Sequence, residues 1–122
     1  MEKTFGERVA DAKQAVAAIT AQEAAALKQC GTVVFVDPRP AAAIADTTGI
    51  ITDAHNVNLG DIAEGNVPAT FDKTLTHVIT ACQGGPMGAI AAHEFHKLGF
   101  ANVNYVDGGT QAWLEAGFPT SR

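Results

Sequence analysis

His77-Val-Ile-Thr-Ala-Cys-Gln-Gly-Gly-Pro-Met-Gly88 decides the fold. His77 to Ala81 is a short, β-rich apolar run without polar alternation, which predicts a strand buried on both faces, as in a parallel sheet. Cys82 ends the run. Ile90, Ala91, Phe95 and Leu98 then recur at the spacing of one helix face, and Gly99 stops it. The unit is strand, glycine loop, helix.

In a parallel α/β sheet ligands bind beyond the C-terminal ends of the strands, which is where this reading puts Cys82. The helix that follows offers unpaired N–H groups and about half a positive charge, and both favour thiolate over thiol. Gly84, Gly85 and Gly88 let the backbone curl so that amides face an anionic sulfur, while Pro86 has no N–H to give. Cys82 is therefore the candidate nucleophile. Gln83, Gly84, Gly85, Met87 and Gly88 are the candidate anion cradle. The competing reading makes Cys82 a small buried apolar residue closing a strand.

Outward from this unit, the same alternation continues. Thr32 to Val36 predicts a second doubly buried strand ending at Asp37-Pro38, and Asn102 to Val106 a third, broken by Gly108-Gly109 before a helix over 110–115. Residues 6–18 place Val9, Ala12, Ala15, Val16 and Ile19 at helical spacing. Thr20-Ala-Gln-Glu23 matches a capping box, which opens a helix over about 21–29. An Ala-rich helix at 40–46, a weak strand at 54–57 and a short helix at 59–64 complete the pattern. Strands alternating with helices predict an α/β fold, with a mostly parallel central sheet flanked by helices on both faces.

A chain of 122 residues has the size of one domain, with 1–18 as a helical lead-in to the body at 19–122. An apolar share of 47% and a charged share of 17% set it apart from disordered chains. The net charge of -5 and the lack of any Lys/Arg cluster exclude the electrostatic footprint of a nucleic-acid or anionic-membrane binder. No signal-peptide pattern opens the chain and no run is long enough to span a bilayer, so a cytoplasmic location is expected. Two cysteines, Cys30 and Cys82, are too few for a disulfide framework.

The remaining candidates are weaker. Asp37 and Arg39 either orient the loop and attract an anionic donor, or form a structural pair at the sheet edge. His93 and His96 lie three apart with no further ligand to complete a metal set, so a solvated helix face is the simpler reading. Cys30 falls on the edge of the sheet opposite the loop, which makes it a poor resolving thiol. Trp113 sits at core spacing.

The order of these motifs resembles the rhodanese-like sulfurtransferases, from about Ile19 to Pro119. The family's active loop, Cys-x-x-Gly-x-Arg before a helix, is similar to Cys82-Gln-Gly-Gly-Pro-Met87, with Met87 at the Arg position. Val33-Val-Phe-Val-Asp-Pro-Arg39 resembles the family strand ending in Asp-x-Arg. Asp53-Ala-His-Asn-Val57 resembles the second half of Gly-His-Ile-Pro-Gly-Ala-x-Asn-Ile, with Ile50 at the histidine and Asp53 at the second glycine. Leu98-Gly-Phe100, Val106-Asp-Gly-Gly109, Trp113, Gly117 and Pro119 follow the closing pattern. The resemblance implies that Cys82 takes a sulfane sulfur from a small donor and passes it to a thiol acceptor, which can be a protein, with no metal or other cofactor. A phosphatase or arsenate reductase would need a longer loop containing an Arg. The rival reading within the family is a catalytically weak binding or redox-sensing module built on an oxidisable Cys82.

Overall fold

Thr4 and Thr20 start the first two helices by the same device. In the computed structural model, which describes residues 3–122, each hydroxyl accepts from the backbone N–H three residues on, and Glu7 or Glu23 reaches back to the threonine N–H at 2.9 Å. These capping boxes open α1 (Phe5–Ala15) and α2 (Ala21–Leu27). The sequence reading carried the first helix to residue 18. Instead it stops at Ala15, because Val16 turns extended at φ -131° and buries itself against α5. Ala18–Ile19 then becomes a strand, β1.

The other strands are β2 (Val33–Asp37), β3 (Ile50–Ile51), β4 (His55–Asn56), β5 (His77–Thr80), β6 (Asn102–Val106) and β7 (Thr120–Ser121). Between them run α3 (Ala41–Ala45), α4 (Leu59–Glu64), α5 (Pro86–Lys97) and α6 (Gly109–Glu115). Five strands form one sheet in the order β1-β6-β5-β2-β4, every pair parallel. The ribbon of β3 and β7 is antiparallel and separate. Two residues are too few to leave a periodicity in sequence, which is why β1, β3 and β7 were not foreseen.

Alternate residues of the central strands explain the apolar runs. Phe35, Ile79, Ala81 and Val106 face α2 and α6, where Ala21, Ala24 and Trp113 cover them. Val36 and Val78 face the other way, onto Ile62 of α4 and Ala91 and Phe95 of α5. Ala12 and Val16 bring α1 against Ala89 and Ala92 of α5. Both faces being covered, neither can alternate with polar residues. Trp113 is core, as expected, and its indole N–H donates to the Pro119 carbonyl at 2.8 Å. Among the described residues no helix is long and apolar enough to cross a membrane.

Candidate active site

β5 delivers Cys82 just past its end, at the centre of the sheet. Gly85 takes φ +118°, a region that favours glycine, and Pro86 then starts α5 with its φ already set for a helix. This bend carries the Gly85 N–H back to the Cys82 sulfur, to which it donates at 3.0 Å. The thiol ends a buried strand, with only 3% of the residue exposed. The backbone donor is thus already aimed at the sulfur by the fold of the loop itself.

The other loop residues divide by placement. Gln83 and Gly84 are exposed and form the outer wall, and Met87 is half-buried in the first turn of α5. Gly88 is buried; a Cβ there would lie 3.2 Å from the Cys82 nitrogen, so its lack of side chain lets the helix approach the strand. Thr80 pins that approach by donating its hydroxyl to the Gly88 carbonyl at 2.6 Å.

A second helix holds the loop from behind. The Thr110 N–H donates to the Cys82 carbonyl at 2.7 Å and the Gln111 N–H to the Gln83 carbonyl at 3.0 Å. Gly109, at φ +63°, permits this: a Cβ on it would stand 2.5 Å from the Cys82 oxygen and 2.8 Å from the Gln83 oxygen. Sequence reasoning took Gly108-Gly109 only as a strand breaker. Two adjacent glycines at the end of a buried strand, opening a helix, were the available sign that another backbone passes close.

Asp37 and Arg39 are committed elsewhere. Arg39 donates from Nε at 3.0 Å and from Nη2 at 2.7 Å to the two Asp37 carboxylate oxygens, and also to the hydroxyls of Thr47 and Thr48 and the Gly49 carbonyl. Both are buried, at 5% and 2% exposure. The Asn56 amide donates to the carbonyls of Asp37 and Arg39 at 3.0 and 2.8 Å. This clamp joins β2, β4 and the turn after α3. The pair is structural, as one of the two expectations had it, and stands where β2 ends, between β5 and β4. Removing one partner would strand a buried charge at a cost of about 3–5 kcal/mol, so Arg39 is held in the framework.

Cys30 is exposed and precedes β2, whose parallel pairing with β5 puts Cys82 at the far end of the sheet. His93, expected on a solvated face, is half-buried in a small groove against α1, and burial followed by the Lys97 charge lowers its pKa from the usual imidazole value. His96 is exposed.

With this geometry in place, comparison with known proteins gives the lineage. The model of the rhodanese-like domain matches residues 20–116. The chain belongs to the rhodanese-like domain family. Among solved structures, a Rhodopseudomonas palustris protein of unknown function, described as a possible tyrosine phosphatase, superposes with a TM-score of 0.84 at 23% identity, over 99% of this chain and 96% of that one. A human single-domain sulfurtransferase gives 0.69 at 23% identity, over 80% and 95%. A rhodanese-related protein of Thermoplasma volcanium gives 0.68 at 22%, over 84% and 95%. At these identities the likeness is one of fold. An uncharacterized Synechocystis protein is 28% identical over 95 residues, which are 77% of this chain and 50% of that protein, so the chain spans half the length of the curated relative it matches. The rhodanese-like domain is thus shown, and α1 lies outside the matched stretch.

Proposed function

We propose that this rhodanese-like chain is a sulfurtransferase or persulfide carrier that works through Cys82. The observation that carries the reading is the Gly85 N–H set 3.0 Å from the Cys82 sulfur, where a central parallel strand passes into the first turn of α5. In the first half-reaction the Cys82 thiolate attacks the outer sulfur of a donor R–S–SH; the Cys82 S–S bond forms as the donor bond breaks, and R–S⁻ leaves. In the second, an acceptor thiolate attacks the same outer sulfur and Cys82 is released as thiolate. Each sulfur moves without net oxidation, so no electron carrier is required.

The surroundings favour a donor whose reacting sulfur bears little charge. Met87 supplies no cation to the loop, and the Arg39 guanidinium is spent on Asp37, Thr47, Thr48 and Gly49. Thiosulfate, a dianion, would meet only amides there and should be a poor donor. The burial of Cys82 also favours a slender terminal sulfur over a bulky electrophile. The test is intact mass after incubation with a low-molecular-weight persulfide, where Cys82 should gain one sulfur, about 32 Da, which a thiol then removes. Uptake that persists in Cys82→Ser, or that maps to Cys30, overturns the assignment. No uptake at all leaves the family's catalytically weak binding or sensing role in its place.

A further inference from the structure

On the segments that leave the parallel strands the exposed charges are all of one sign. Of the charged residues in the segments that leave β1, β2, β4, β5 and β6, and in the helix turns they open, Asp37 and Arg39 cancel each other in the interior. The rest are Glu23, Asp61 and Asp107, all exposed; no exposed Lys or Arg is found there. The chain's cations lie elsewhere: Lys3, Arg8 and Lys97, for example, gather along the α1–α5 groove. The segments at the strand ends thus present an acidic face. Such a face draws cationic partners and turns anionic ones away.

Next to the loop this face holds a groove of about 330 Å³ between α2 and α6. Thr20, Gln22, Ala112 and Ala116 help to line it, and Asp107 and Glu115 supply two exposed carboxylates. Small alanine side chains on α6 leave room for a partner's side chains to lie along the helix. The groove reaches the sulfur site through the backbone. Asp107 precedes Gly108, whose nitrogen stands 3.5 Å from a Cβ built on Gly85, and the next residues hold the Cys82 and Gln83 carbonyls.

We infer that the sulfur acceptor is a protein cysteine flanked by Lys or Arg residues, which dock in the α2–α6 groove against Asp107 and Glu115. This rests on the proposed persulfide at Cys82 and names the partner for its second half-reaction. The incoming thiolate attacks the outer sulfur of Cys82–S–SH, the new S–S bond forms on the partner, and Cys82 leaves as thiolate, so that atoms and electrons balance with no further reagent. Basic flanking residues assist twice: they lower the partner cysteine's pKa, and they bring its anion to an acidic face that would otherwise repel it.

The experiment loads the intact chain with the persulfide of N-acetylcysteine amide, whose carrier bears no charge, removes excess donor, and offers three cysteine peptides of equal length flanked by Lys, Ser or Glu. Persulfide loss is followed by mass at matched thiolate concentration and scaled to each protein's discharge by the neutral thiol dithiothreitol. At low salt the Lys peptide should discharge Cys82 on the order of tenfold faster than the Glu peptide, with Ser between, and the spread should collapse at high salt. In Asp107→Lys/Glu115→Lys the order should flatten or reverse. Equal rates with a loaded wild-type chain, or an order indifferent to the double substitution, overturn this inference alone. A chain that takes up no sulfur at the loading step overturns the sulfurtransferase reading and this inference with it.

Discussion

α5 and α6 begin alike and are used differently. Each follows a central parallel strand, each is entered through glycine at positive φ, and neither has a side-chain cap. At α6 two first-turn amides, Thr110 and Gln111, are satisfied by the carbonyls of Cys82 and Gln83. At α5 the turn instead presents the Gly85 N–H to a sulfur atom. A helix N-terminus is therefore chemically available only where neighbouring carbonyls have not already taken its donors. Here one N-terminus fixes the loop so that the other can serve it.

Substitution of the two entry glycines tests that division of labour. Gly109→Ala should have the largest effect: its Cβ meets two carbonyl oxygens at 2.5 and 2.8 Å while φ stays at +63°, so helix or loop must move. Strain and overpacking together should cost about 3 kcal/mol or more. Gly85→Ala has room for its Cβ, the nearest atom being 3.5 Å away, and suffers only at φ +118°. It should cost about 1–3 kcal/mol. Denaturant melts measure the stabilities and persulfide uptake measures the site. Per unit of stability lost, Gly85→Ala should lose more uptake; the opposite order would mean that α6, not the Gly85 amide, governs the sulfur.

Met87→Arg sharpens the comparison by giving the α5 entry the cation it lacks. Charge-assisted contacts to a donor's oxygens are worth roughly 1.5–3 kcal/mol, so kcat/KM for thiosulfate should rise on the order of tenfold to a hundredfold. The value for a low-molecular-weight persulfide should rise less, and the gain should fade with salt. Steady-state kinetics on both donors decides it. If wild type already turns over thiosulfate efficiently, or if neither donor gains, the amide geometry alone sets donor choice.

What the sequence made legible was the part of the molecule with period or with marked turn chemistry. The doubly buried runs at Val33–Val36 and His77–Thr80 read directly as parallel strands, Asn102–Val106 and Leu59–Glu64 matched in full, and Thr20-Ala-Gln-Glu23 capped where its spacing said it should. Ala18 was assigned to a helix because Ala12, Val16 and Ile19 around it fit helical spacing; the pairing of Ala18 with Tyr105 and of Ile19 with Val106 won instead, through contacts far apart in sequence. At the site, Cys82 and Gly85 were visible as residue types at a strand–helix junction. The clamp of Arg39 by Thr47, Thr48 and Gly49, and the seating of α6 on the loop, were not, since both depend on which distant backbones meet. Asp53 shows the same limit from the other side. It adopts φ +70°, a region that suits glycine best, and it stands where the family resemblance put a glycine.

The smallest expected effect concerns the far end of α5, where His93 packs against α1 away from the sulfur. Burial, and then the Lys97 charge, lower its folded pKa below the ordinary value near 6.5, against weaker opposing pulls from Glu94 and Asp11 and a further depression from His96. Above about pH 6.5 the ring is neutral in both folded and unfolded chains and adds no pH dependence. As pH falls below that value the unfolded chain binds the proton first, so stability is lost until the folded pKa is passed, and the loss then levels off. His93→Gln should remove this term. Its melting temperature should fall less than that of wild type between pH 7.5 and 5, by about 2 °C or less, a window that stays above the titration of the lowered carboxylates Glu7 and Asp11. Persulfide loading of Cys82 at pH 7.5 should not change. If loading did fall with His93→Gln, the first turn of α5 would not act independently of its last turns, and the contrast with α6 would have to be drawn between whole helices instead of their entries.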